Sequence, residues 1–473
     1  MQKIDLFARD LPRDRQAAVY GSAKAGTEKR RQLLWNDYED PDALRELAAR
    51  IKQHTLDHLD TYLDQAVEAM QRNGVEVHFA PTGDDACRTV RDILLAAGAR
   101  SVMKSKSMAA EEIHLNGFLA AAGLEVLETD LGEFIVQLDG DVPSHIVKPI
   151  LHKNRREIAG TFLKNDIAAD FNDDPETITR RARRHMRGKF MAADAGITGG
   201  NFLVAESGRL VLVTNEGNSR FGMAPNRLHI ALVGIEKLIP RDRDLAVLLN
   251  LLGRSATAQQ LTVYTEFITG PKPASQPSGP ETMHVVLMDN GRSDVLASNC
   301  REILRCIRCG SCQNVCPVYR QASGHAYRAT YGGPVGAVLS PLLAGDRFHE
   351  LADLPKASSL CGACREVCPV DIPIPDLLVR LRDKAKTAHV PSGTSVPMGP
   401  FAVVATSPRL WRSCMTMSRA IDYLPLRCIP VGLLQGWVRR RSLPPSHGGE
   451  FRKWWAARQQ APSQASRPPE TNG

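Results

Sequence analysis

The run Cys306-Ile307-Arg308-Cys309-Gly310-Ser311-Cys312-Gln313-Asn314-Val315-Cys316-Pro317 and its near-copy, Cys361-Gly362-Ala363-Cys364-Arg365-Glu366-Val367-Cys368-Pro369, decide how this chain is read. The first is a C-x2-C-x2-C-x3-C-P run, the spacing of bacterial ferredoxins. A loop of that length turns three thiolates toward three irons of one cubane. Gly310 relieves crowding in the loop and leaves backbone N–H groups for the cluster sulfurs, and Pro317 redirects the chain after the fourth cysteine. The near-copy matches the last three ligand positions of the same run, with Ser358 where its first cysteine would stand. In two-cluster ferredoxins the fourth cysteine of a run ligates the other cluster. That crossing gives Cys306, Cys309, Cys312 and Cys368 to one [4Fe–4S] cluster. It gives Cys316, Cys361 and Cys364 to a second, which has only three cysteine ligands. Zinc is the competing reading and fits poorly, because structural zinc takes four ligands, usually two and two. Cys87, Cys300, Cys414 and Cys428 lie outside the motifs and read as small buried hydrophobes. Cys300 is the one near enough to the first motif to stand as an alternative ligand.

Upstream, the hydrophobic pattern alternates between strand and helix. Val75–Ala80, Ser101–Met103, Leu124–Thr129 and Glu133–Leu138 read as strands, and Asp84–Ala97 and Met108–Ala122 as helices. Helices follow at Asn154–Leu163 and Glu176–Ala192. Phe202–Ala205 and Arg209–Thr214 flank Glu206-Ser207-Gly208 as a hairpin. Further apolar runs stand at Ile230–Ile235, Leu261–Ile268 and Met283–Met288. This order predicts an α/β domain with a mostly parallel sheet. Before it, residues 1–40 read as a loosely packed polar arm. Asp42–Asn73 reads as one long helix, about 48 Å if unbroken. The expected domains are 1–74, the arm and long helix; 75–291, the α/β domain; and 292–386, a helical two-cluster ferredoxin domain. The last, 387–473, is a linker, a basic helical region and a disordered tail.

The chain has 473 residues with 43% hydrophobic and 24% charged, an ordinary globular composition. No apolar run approaches the roughly 18 residues that span a bilayer, and the opening residues have no signal-peptide pattern. The expected location is the cytoplasm. Residues 401–473 carry 11 Lys/Arg against 3 Asp/Glu, the whole net charge of +8. That distribution is wrong for a general nucleic-acid binder and suits an acidic partner or an anionic membrane surface. Trp437, Trp454 and Trp455 lie among those charges. The region reads as a cap over the ferredoxin module, a docking segment for a partner subunit, or a membrane contact near a quinone-linked acceptor. There is no G-x-G-x-x-G after a strand, no G-x4-G-K-[ST] loop and no G-x-S-x-G elbow. Clusters of this type move single electrons, so two-electron chemistry requires a partner or another cofactor site.

The two cysteine motifs come together with Lys104-Ser-Lys-Ser-Met-Ala-Ala-Glu-Glu-Ile-His114, Gly196-Ile-Thr-Gly-Gly-Asn201, Val213-Thr-Asn-Glu-Gly-Asn218 and Ile268-Thr-Gly-Pro271. In that order they resemble the lactate-utilisation iron–sulfur protein family of the protein B type, over about residues 60–440. The resemblance implies an α/β (LUD) domain like the isomerase and coenzyme A transferase fold, and two [4Fe–4S] clusters, the second with three cysteines. Ser358 is then no departure. It also implies electron transport in the oxidation of L-lactate to pyruvate, with a cysteine-rich subunit and a second LUD-domain protein as partners. Lys104 and Lys106, between a strand and a helix N-terminus, are candidates to hold a carboxylate; a solvated basic loop is the alternative. Glu216 lies in Asn215–Asn218, which reads either as a tight turn or as a pocket loop. Glu111, Glu112 and His114 read as surface or packing residues, and Arg180, Arg181, Arg183, Arg184 and Arg187 as a solvated helix face. Two functions remain open at this level: an electron-transfer subunit, or a ligand-binding, transferase-like enzyme whose clusters serve structure.

Overall fold

In a computed structural model, residues 3–388, 398–417 and 450–460 are described. The chain divides into two units, Met1–Ser392 and Gly393–Gly473. The described residues hold ten strands: β1 (Glu76–Ala80), β2 (Ser101–Lys104), β3 (Glu125–Glu128), β4 (Ala195–Thr198), β5 (Phe202–Val204), β6 (Leu210–Thr214), β7 (Leu228–Gly234), β8 (Leu238–Ile239), β9 (Tyr264–Ile268) and β10 (Thr282–Met288). Six of them form a wholly parallel sheet in the order β1-β10-β7-β4-β2-β3. All residues of β4 and β7 are buried. That is what a parallel sheet covered on both faces demands, and why these strands are apolar rather than alternating. A second sheet, β8-β5-β6-β9, contains the expected hairpin, with Phe202 opposite Val211.

The chain runs from β2 outward to β3, then returns to place β4 on the other side of β2. The crevice outside the carboxyl ends of β2 and β4 is therefore a topological switch point, the place where open α/β sheets bind ligands. Ser105 N bonds Ile197 O at 2.8 Å across it. Gly199 is required here, since a Cβ would meet Ser107 Oγ at 2.7 Å.

Three expectations are corrected. Glu133–Leu138 is not a strand but part of a helix, Leu131–Asp139. Asp130 caps it by accepting from Gly132 N (2.9 Å) and Glu133 N (3.1 Å), and Gly140 ends it in the left-handed region. Residues 1–40 are not a loose arm. Helix Arg13–Asp37 buries Val19, Ala23 and Arg30 and packs on the helices Ser311–Val315 and Pro317–Ala322 of the cysteine module. The long helix is broken at His58 into Pro41–Asp57 and Leu59–Arg72.

The cysteine module is helical, built mainly of Ser311–Val315, Pro317–Ala322, Gly333–Leu343, Ala363–Glu366 and Ile374–Thr387. It lies in the same unit as the α/β domain. The second unit shows helices at Met398–Thr406, Pro408–Met417 and Glu450–Gln460, with Phe401, Val403, Phe451, Trp454 and Trp455 exposed. Arg458 lies over the Trp454 ring at 5.3 Å. Trp437 and Cys428 fall outside the described residues. No helix among the described residues is long and apolar enough to cross a membrane.

Candidate functional site

The first motif bends through two left-handed residues, Arg308 (φ 60°) and Gly310 (φ 72°), before entering helix Ser311–Val315. Alternating hands turn successive N–H groups to one side, a geometry that receives anions. A side chain at Gly310 would meet His145 Cε1 at 3.0 Å, so the α/β domain presses directly on this loop. The second motif repeats the device with Leu360 (φ 55°) and Gly362 (φ 86°) around Cys361.

The fold brings the seven motif cysteines together as two sets of free thiols. Cys306, Cys309, Cys312 and Cys368 line one cavity, walled by Ile146, Ile307, Val335, Val370, Ile372 and Ile374. Burial raises the Cys312 pKa well above the ordinary value, and the neighbouring sulfurs of Cys306, Cys309 and Cys368 add to it. Cys368 is pushed up to about 12 by burial and then by Cys309 and Cys306. Cys364 is pushed up to about 12 by burial, then by Cys316 and Cys361. Backbone N–H groups already face the sulfurs: Arg308 N to Cys306 Sγ at 3.4 Å, Tyr319 N to Cys316 Sγ at 3.5 Å, and Ile372 N to Cys368 Sγ at 3.4 Å. Soft thiolates in an apolar sheath with N–H donors are the chemistry an iron–sulfur cluster needs, so the residues fit that group. Left without iron, these buried thiols would stay protonated, and metal binding must release the protons. Cys361 is exposed while Cys316 and Cys364 are buried, so the second set lies nearer solvent. Ser358 Oγ accepts from Leu360 N at 3.1 Å. Cys300 is buried beside Asn299, and Arg380, Glu302 and Lys384 are the charged neighbours acting on it.

An ionic network fastens the first cysteine loop to the α/β domain. Glu236, just after β7, accepts from Arg292 Nε at 2.5 Å and Arg308 Nη2 at 3.1 Å. Burial raises its pKa, but Arg292 and Arg308 more than reverse this and hold it down at about 2. Arg292 also pairs with Glu112 at 2.9 Å, and Tyr331 Oη donates to Glu112 at 2.7 Å. The Arg308 guanidinium lies over the Tyr331 ring at 4.7 Å. Of the two roles expected for Glu112, surface or packing, the structure gives packing: it is a joint between the α/β domain and the cysteine module. Nothing in the sequence signals this network, whose members are scattered from residue 112 to 331.

A cavity of about 360 Å³ opens at the switch point. Lys106 and Glu216 line it, together with Asp130, Lys237 and Arg308. Lys106 Nζ donates to Val147 O at 2.9 Å and pairs with Asp130 at 3.5 Å. Glu216 is pushed up to about 7 by burial and by Asp130. Asn215 and Asn218 also reach the wall, so this segment is both a turn, with Gly217 at φ 69°, and a pocket loop. Lys104 does not line the cavity. As the last residue of β2 it is the register partner of Glu128, and its fully buried ammonium pairs with Glu128 at 2.8 Å and Glu111 at 3.3 Å. Burial lowers its pKa, but Glu128, Glu133 and Glu111 raise it above the ordinary value.

With this geometry in place, comparison with known proteins gives a consistent answer. Residues 63–288 match the LUD domain family and residues 302–372 the 4Fe-4S dicluster domain family. "Lactate utilization protein B" of Bacillus cytotoxicus is 44% identical over 423 residues, covering 87% of both chains. "Uncharacterized electron transport protein YkgF" of Escherichia coli is 42% identical over 440 residues, covering 91% of both. The crystal structure of a duf162 family protein from Deinococcus radiodurans overlays with a TM-score of 0.28 at 11% identity, covering 49% of this chain and 98% of that one. A LUD domain followed by a dicluster domain, with such identity over most of both chains, places this chain in the lactate utilization protein B family.

Proposed function

We propose that this chain is an electron-transfer subunit in the oxidation of L-lactate to pyruvate. Cys306, Cys309, Cys312 and Cys368 hold one [4Fe–4S] cluster, and Cys316, Cys361 and Cys364 hold a second with one iron lacking a cysteine ligand. The clusters supply single-electron carriage. The oxidation releases two electrons and two protons, so two one-electron centres match the electron count. The observation that carries the reading is the sorting of seven thiols into two sets within one module. The names of the relatives, one for lactate utilization and one for electron transport, supply the substrate and the class of work. The chain works in a complex with a cysteine-rich lactate-utilisation subunit and a second LUD-domain protein, and delivers electrons to a quinone-linked acceptor at the membrane. It needs no nucleic acid.

The test is reduction of the anaerobically purified, cluster-loaded chain by L-lactate, with and without the two partner proteins. Reduction only in the presence of partners is expected. Robust reduction by the isolated, flavin-free chain would defeat the subunit reading, and no reduction under either condition would defeat the relay.

A further inference from the structure

The switch-point cavity carries cations that its own walls do not neutralise. Lys106 is satisfied by Asp130 and Val147 O, and Arg292 by Glu112 and Glu236. Lys237 is different, making no hydrogen bond or ion pair among the described residues. Arg308 gives Nη2 to Glu236, while its Nη1 is buried without an acceptor. The Arg308 side chain is only 6% exposed. A buried donor left unpaired costs about 1–3 kcal/mol, more when charged, so the orphaned Arg308 Nη1, with the unpartnered ammonium of half-buried Lys237 on the same wall, points to a missing anion. Arg and Lys together suit a carboxylate. The rest of the wall offers Ser107, Asn201 and Thr214 beside apolar Leu212 and Leu232. That mixture fits a short carbon chain carrying a hydroxyl or carbonyl oxygen. The volume of about 360 Å³ lies at the low end of small-molecule pockets, which run from about 300 to 1,000 Å³.

The position matters as much as the charge. Arg308 sits between Cys306 and Cys309, so one residue forms the cavity wall and part of the first cysteine loop. We propose that this cavity binds a small 2-hydroxy or 2-oxo carboxylate, with its acid group held between Lys237 and Arg308, and that occupancy is transmitted to the first thiol set through Arg308. The choice of acid rests on the lactate-utilisation reading above; the anion site rests on the cations alone.

The experiment titrates the anaerobically purified, cluster-loaded full chain with L-lactate, pyruvate, acetate and inorganic phosphate. Binding is read by calorimetry, and the reduced clusters by electron paramagnetic resonance. L-Lactate and pyruvate should bind, acetate and phosphate at least about tenfold more weakly, a difference of about 1.4 kcal/mol. Saturation should shift the first cluster's spectrum and leave the second unchanged. Lys237→Gln should weaken binding about tenfold or more and abolish the shift, while Lys237→Arg restores both. Each variant is compared at wild-type iron content and circular dichroism, so a folding defect is visible. Phosphate or acetate binding as tightly as the two acids would overturn the proposed class. Unaltered affinity in Lys237→Gln, or no binding of either acid, would overturn the site. The two readings fail separately. Lactate-driven cluster reduction in the complex without acid binding here removes the site and keeps the relay. Binding here without lactate-driven reduction under any condition removes the relay and keeps the site.

Discussion

Replacing Glu236 with Gln keeps the shape of the side chain and removes the charge that joins the α/β domain to the first cysteine loop. The carboxylate is 1% exposed and paired with Arg292 and Arg308. Its pKa is held at about 2 against an ordinary 4.5. At about 1.4 kcal/mol per unit, that difference is roughly 3 kcal/mol of stability. Removing one partner of a buried ion pair costs a similar amount, about 3–5 kcal/mol. Because the folded value is depressed, the contribution is complete above pH 4.5 and is lost as pH falls toward 2, so a measurement at pH 7 reads all of it. The assay is anaerobic guanidinium unfolding of the cluster-loaded chain, followed by far-ultraviolet circular dichroism and by visible cluster absorbance. Both midpoints should fall, with unchanged slope, because Arg308 belongs to the loop and Arg292 to the domain. Midpoints matching wild type to within about 0.5 kcal/mol, the range of a neutral surface change, would refute the idea that this charge fastens the two parts.

Other perturbations separate the remaining assignments. Cys368→Ser, although it lies in the second motif, should remove the first cluster, and Cys316→Ser the second; either should take bound iron from about eight to about four per chain. On brief exposure to air, the wild-type protein should show a three-iron paramagnetic signal from the second cluster, and a Cys300→Ser variant should show the same; loss of the second cluster in that variant would make Cys300 its missing ligand. Lys104→Met should destabilise the chain by about 3–5 kcal/mol, because Glu128 stays buried without its ion-pair partner, whereas Lys106→Met, at a partly exposed pair, should cost about 1 kcal/mol. Truncation after Pro400 should leave both clusters assembled and reduce co-purification with the partner subunits; loss of both clusters would place the removed region in the core fold.

Local signals in the sequence were strong wherever the chemistry was local. The cysteine spacing was legible because ligands two or three residues apart must share one loop. The hairpin of β5 and β6 and the apolar runs of β7 and β10 were legible because strand burial leaves a direct record in composition. Glu133–Leu138 reads as a strand from sequence because a short apolar run looks the same in a buried strand and a buried helix; Asp130 and Gly140, the caps of the helix, are the signals that distinguish them. Helix Arg13–Asp37 leaves little trace in the sequence because the residues it buries, Val19, Ala23 and Arg30, hardly mark an apolar period. Lys104 and Lys106 looked equivalent in the chain. Strand pairing sends the first into a carboxylate cluster and leaves the second at the cavity. Lys237 and Arg308 carried no sequence signal as cavity residues, since they meet only when β7 and the first cysteine loop are packed together.

The position of Cys368 on the cavity of Cys306, Cys309 and Cys312 bears on how the protein is made. On a ribosome the chain emerges from its first residue, and neither thiol set is complete until the second motif has been synthesised. By then every strand of the parallel sheet, ending with β10 at Met288, has already left the exit tunnel. Helix Arg13–Asp37, which packs on the cysteine module, emerges before any of them. The delivery machinery for iron and sulfide therefore meets a client whose α/β portion can already be folded, with Glu236 in place to seat the Arg308 loop. With the proposed ligand set, cluster assembly comes late in synthesis, and a nascent chain stalled before residue 368 lacks one of the four cysteines of the first set.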